Sequence, residues 1–115
     1  MGIMSNIMQN ARFVGGENRN VAAAGSAQAD AAFIGGAVNE ISDVTEGSAL
    51  RIPSDRVMGD LLFVTNKSGG GVSVFPSEGG IIVGLAENAA LSVADGKSVL
   101  FISLGPNRWG SITSA

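Results

Sequence analysis

The sequence predicts an all-β fold: a small antiparallel β-sandwich or barrel-like domain with an extended N-terminal arm. Three observations carry this. Short apolar runs rich in Val, Ile and Phe recur through residues 31–113, and turn residues interrupt them every 8–12 positions, the pattern of a sandwich or small barrel. No strong helix follows residue 30; residues 87–93 have a mixed periodicity that also fits a helical turn, the weaker reading. Finally, runs such as Leu61-Leu62-Phe63-Val64 and Val99-Leu100-Phe101-Ile102 are apolar at every position. Successive side chains of a strand point to opposite faces, so these strands are apolar on both.

The elements follow in order. Residues 1–29 are rich in Asn, Gly and Ala and are expected to form an arm, either a flexible tail or a segment that orders against a partner, with residues 30–115 as the β domain. Ile3, Met4, Ile7, Met8 and Ala11 have the spacing of a short amphipathic helix. With Phe13 they are candidate anchors for an arm that orders against a partner. Residues 31–34 and 37–44 read as early strands separated by Gly35-Gly36. Residues 48–52 run into Pro53, which cannot donate to a ladder. Residues 60–65 and 72–75 flank the glycine-rich stretch 66–71, which reads as a hairpin connection. Residues 81–83 lie between Gly79-Gly80 and Gly84. Asp95-Gly96 joins 91–94 to 97–104 as a second hairpin, and 107–112 form a last strand with Trp109, the sole Trp.

A chain of 115 residues cannot cover both faces of every apolar strand by itself. Ordering it costs on the order of 1.5 kcal/mol per residue, which nearly cancels the gain of a small core. With no Cys, disulfides cannot offset this, and association with another subunit is the remaining route. The 45% hydrophobic content, 15% charged content and mean hydropathy of +0.32 agree. Leu61, Phe63, Phe75, Phe101 and Trp109 are the candidate packing and interface residues. Leu62/Val64 and Leu61/Phe63 are equally suited to the core, so the sequence leaves open which pair faces a neighbour.

Chemistry is scarce. The absence of His and Cys removes the Ser–His and Cys–His nucleophile pairs and the usual zinc ligands, so no catalytic residue, metal or cofactor is expected. Glu40, Asp43 and Glu46 would converge only on a helix; on strand and turn they read as a solvated acidic edge. Asp30 and Asp60 read as turn caps. Gly69-Gly70-Gly71 suits a turn better than an anion cradle, and the sequon Asn66-Lys67-Ser68 is read as a turn. A net charge of −3 with scattered basic residues disfavours nucleic acid. No apolar run reaches the roughly 18–20 residues of a membrane span, and no signal peptide is visible. A soluble protein made in a cytoplasm is expected.

One ordered series of phrases is more specific than any single motif. It runs Ala49-Leu50-Arg51-Ile52-Pro53, Gly59-Asp60-Leu61-Leu62-Phe63-Val64-Thr65-Asn66, Val72-Ser73-Val74-Phe75-Pro76, Gly79-Gly80-Ile81-Ile82, Asp95-Gly96-Lys97-Ser98-Val99-Leu100-Phe101-Ile102 and Asn107-Arg108-Trp109. This order resembles small β-structured virion proteins of tailed bacteriophages, with Ile52 in place of Leu, Phe75 in place of Tyr, and Gly110 after the Trp. The resemblance spans about residues 30–110. It implies a structural virion protein, commonly trimeric, without enzymatic activity. Because the β module fills nearly the whole sequence, a stand-alone capsid decoration (cement) protein is expected on the outer capsid surface. Its partners would be two further copies and the major capsid protein, made together in the bacterial host. A fibre, spike or tail attachment module, binding another virion protein or a host glycan, is the alternative.

Overall fold

A computed structural model describes residues 12–13 and 15–115. The chain is all-β. Its strands are β1 (Arg12–Phe13), β2 (Glu17–Ala22), β3 (Ala32–Phe33), β4 (Val38–Asp43), β5 (Ala49–Arg51), β6 (Asp60–Asn66), β7 (Val72–Phe75), β8 (Ile81–Ile82), β9 (Leu91–Val93), β10 (Ser98–Ser103) and β11 (Arg108–Thr113). One 3-10 turn, Gln28–Asp30, precedes β3. No helix among the described residues is long and apolar enough to cross a membrane.

The strands belong to two sheets, and the chain alternates between them. The larger sheet has the order β2-β4-β6-β10-β11-β8, with β1 beside the start of β6; the smaller has the order β3-β5-β7-β9. Each of the pairs β2–β3, β4–β5 and β6–β7 therefore forms one coil, and the coils stack in parallel. Glu17 stands beside Val38 and Val38 beside Phe63 in the larger sheet. Ala32 stands beside Leu50 and Leu50 beside Val74 in the smaller. Residues 81–113 close the stack: β9 runs antiparallel to β7, β10 antiparallel to β6, and β11 antiparallel to β10.

This solenoid-like winding corrects the expected antiparallel arrangement. Among the described residues, six of the nine ladders are parallel. Neither expected hairpin exists, because β6 and β7, and likewise β9 and β10, lie in different sheets. Their connections are corners. A corner and a hairpin use the same turn chemistry, with glycine at positive φ (Gly69 +92°, Gly96 +80°), so composition does not separate them. The corner after β6 is fixed by Asn66, whose buried side-chain amide donates to the Gly70 and Val93 carbonyls at 2.7 and 3.0 Å. Its carboxamide oxygen accepts from the Ser68 amide and hydroxyl. The Asn66-Lys67-Ser68 sequon is thus a turn with its asparagine closed off.

The coil stack is tightest at another pair of corners. Gly25 and Gly47 form a bridge between the first two turns of chain, where a Cβ on Gly47 would meet the Gly25 nitrogen at 2.1 Å. Only glycine allows two backbones this close. Part of the stretch expected as an arm belongs to this stack: β2 pairs with β4, and Val21 and Ala23 are buried. Residues 1–11 and 14 lie outside the described residues.

The core fills the space between the sheets. Leu62, Val64, Val99, Phe101 and Trp109 enter from one side and Leu50, Val72, Val74 and Val93 from the other. Trp109 meets Phe101 edge to face, with ring centroids 6.3 Å apart and planes at 87°. Such a pair contributes about 0.5–1.5 kcal/mol beyond its area burial.

Candidate functional site

Burial along β6 alternates strictly from Asp60 to Asn66, and β10 alternates in the same way. Leu62, Val64, Val99 and Phe101 point inward, which settles the choice of face. Leu61, Phe63, Leu100 and Ile102 point outward. The ladders then join these outward residues into rows. Val38 lies beside Phe63, Phe63 beside Leu100, and Leu100 beside Ile112, a continuous apolar row over four strands. Leu61 and Ile102 form a second row next to it. At about 4.8 Å per strand the first row is roughly 14 Å long. Its members shield one another, so most are half-buried, while Ile112 at the end is 63% exposed.

One end of this face is polar. Glu40 pairs with Lys67 at 3.0 Å and with Arg19 at 3.9 Å. The Ser98 hydroxyl donates to the Thr65 hydroxyl at 2.8 Å. An apolar centre with a charged rim is the ordinary anatomy of a protein–protein contact.

The expected interface residues divide among three places. Leu61 and Phe63 lie on the outer face just described. Phe101 and Trp109 are buried in the subunit core, at 0% and 1% exposure, and are not available to a partner. Phe75 is on the outer face of the smaller sheet, in register with Arg51, which is in register with Phe33. The Arg51 guanidinium carbon sits 4.1 Å from the Phe33 ring centroid. Of the expected arm anchors, the Phe13 backbone is in register with Leu61 in β1–β6; Ile3, Met4, Ile7 and Met8 lie outside the described residues. Arg108 is exposed at the start of β11.

Sequence reasoning did not single out Phe33, Arg51, Leu100, Ile102 or Ile112 as surface residues that share rows. All but Ile112 belong to runs recognisable as strand interior. The rows arise from parallel register, which no local pattern encodes.

Four of the aspartates are occupied structurally. Asp30 accepts from the Ala27 and Ser26 amides at 2.9 and 3.1 Å, and these bonds hold its carboxyl below the usual carboxylate range. The Thr45 hydroxyl and amide do the same for Asp43. Asp60 accepts from the Val57 amide at 3.1 Å. The Gly69 amide donates to Asp95 at 2.9 Å, so the glycine run already holds an intramolecular carboxylate. Among the described residues, no three acidic side chains converge as a metal site would require.

No protein-family model, no curated protein and no solved structure matches this chain.

Proposed function

We propose that this chain is a structural virion protein without enzymatic activity, a bacteriophage decoration (cement) protein that binds the outer capsid shell as a trimer and stabilises it. The observation that carries the assembly role is the outward apolar row Val38, Phe63, Leu100 and Ile112, backed by Leu61 and Ile102. Removing such a face from water contributes about 25 cal/mol per Å² of apolar surface covered. The virion setting rests on the resemblance of the ordered phrases from Ala49 to Trp109 to those of small phage proteins.

The mechanism is mechanical. Parallel coils closed by antiparallel strands make a stiff body with few long loops. Three such bodies joined through their outer faces present three copies of every shell contact. Weak contacts then gain strength by avidity, and all must break before the shell opens. Residues 1–11 lead into β1 beside Asp60 and Leu61, and a chain of that length reaches at most about 40 Å. In this reading Ile3, Met4, Ile7 and Met8 extend the clamp onto a neighbouring shell subunit.

Counting the protein in purified particles by quantitative mass spectrometry tests the reading. A decoration protein is present in numbers comparable to the shell subunits. A fibre or spike component is present in far fewer copies, and that result would replace the decoration role with a tail module.

A further inference from the structure

We propose that Phe33, Arg51 and Phe75, on the outer face of the smaller sheet, form a receptor for a carboxylate carried on an acidic segment of a partner protein. The inference does not depend on the virion reading. It starts from register: β3, β5 and β7 run parallel and place these three residues side by side in one row. Phe33 is 66% exposed, and its ring lies against the Arg51 guanidinium at 4.1 Å.

The charge on Arg51 is unanswered. Its Nε is buried and has no acceptor. Arg19 pairs with Glu17 and Glu40, Arg56 with Asp55, and Lys67 with Glu40, but among the described residues no carboxylate reaches Arg51. A half-buried guanidinium with no counter-charge within its own subunit is open to one from outside. The ring of Phe33 answers one face of the guanidinium plane. It leaves the far end of the guanidinium, where the two terminal amino groups form a fork that can hold a carboxylate through two parallel hydrogen bonds, while the buried Nε stays closed to a ligand.

The surroundings select the occupant. A nucleic-acid backbone needs several cations in a line, and this row has one. The site lies on an open sheet face, and Arg flanked by aromatic rings is the composition of protein–protein hot spots. A carboxylate with an apolar neighbour satisfies the fork and covers the exposed ring together. The occupant that fits is therefore an acidic peptide segment with apolar flanks.

The test uses the full chain labelled with nitrogen-15, following the Arg51 Nε–Hε signal by NMR. Acetyl-Leu-Glu-Leu-amide is titrated against acetyl-Leu-Gln-Leu-amide, with N-acetylneuraminic acid as a carboxylated sugar. The expected result is a saturable shift of the Arg51 signal with the Glu peptide alone. Arg51→Lys, which keeps charge but loses the fork, should weaken binding by about tenfold. Phe33→Ala should weaken it too, with the backbone spectrum reporting that each variant is folded. If a variant does not fold, the wild-type titration decides. An unmoved Arg51 signal, or equal shifts with the Glu and Gln peptides, overturns the proposal. Stronger response to the sugar makes this a glycan site and overturns the peptide assignment. A shift on concentrating the protein alone assigns the row to a second copy instead.

Discussion

Replacing Gly47 with Ala probes the stacked-coil architecture at its closest point. Gly47 has φ of +144° and forms a bridge with Gly25 in the neighbouring coil. An added Cβ would lie 2.1 Å from the Gly25 nitrogen, 2.3 Å from its oxygen and 2.6 Å from the Ala24 carbonyl carbon. All three contacts are backbone, so no side chain can swing aside. Two costs combine. Holding a non-glycine residue in this backbone region costs about 1–3 kcal/mol. Forcing the coils apart adds about 1–3 kcal/mol, as overpacking does elsewhere. The expected loss is therefore about 2–6 kcal/mol, a large share of the roughly 5–15 kcal/mol that holds a domain together. Gly105→Ala separates the two costs, because Gly105 has a comparable φ of +123° but nothing within 4 Å of its added Cβ. Urea unfolding followed by the fluorescence of Trp109, the sole Trp, measures both variants. Gly47→Ala should lose clearly more stability than Gly105→Ala. Equal losses would mean that the coils do not meet at Gly25 and Gly47, and the parallel stacking would fail with them.

Three further outcomes are expected. Phe101→Ala should cost about 3–5 kcal/mol in the same unfolding assay, by leaving a cavity against Trp109; a loss below about 1 kcal/mol would contradict its place in the core. Phe63→Ser combined with Leu100→Ser should leave the subunit folded by circular dichroism yet abolish self-association in sedimentation, because both side chains face outward; an unfolded variant, or an unchanged oligomer, refutes that assignment. Asp30→Asn should lower stability at neutral pH, and the sign of its pH dependence follows from the lowered folded pKa of Asp30. The contribution of a depressed carboxyl is present above its unfolded value, about 3.9, and disappears as pH falls through the folded one. The gap between wild type and Asp30→Asn in urea midpoint should therefore close on acidification below about pH 4. A gap that stays constant would show that the Ser26 and Ala27 hydrogen bonds do not favour the charged form.

Strands were legible in the sequence where burial is alternate and the residues β-branched or aromatic. Val72–Phe75 coincides with its expectation, and β6 and β10 differ only at their ends. Connectivity was not legible. Gly69 and Gly96 announce a reversal of the chain, but whether the next strand returns beside the last or crosses to the other sheet depends on partners far along the sequence. Strand β2 was hidden for a related reason. Its residues, Glu17 to Ala22, bury only Val21, so a single apolar side chain marks a strand whose pairing comes from the coil above it.

The same logic applies to the candidate surface. The excess of apolar residues on both faces of β6 and β10 was visible. Which face points outward, and with which neighbours, required the register that brings Val38, Phe63, Leu100 and Ile112 together. Trp109 and Phe101, the residues most suggestive of an interface by type, went to the interior because their β-strand phase matches Leu62 and Val64.

The central claim is that the inward face of the larger sheet builds the subunit and the outward face joins it to others. Light scattering of the isolated protein at micromolar concentration measures this directly. The account expects a mass three times the 11.6 kDa of one chain. A stable monomer at that concentration would contradict it.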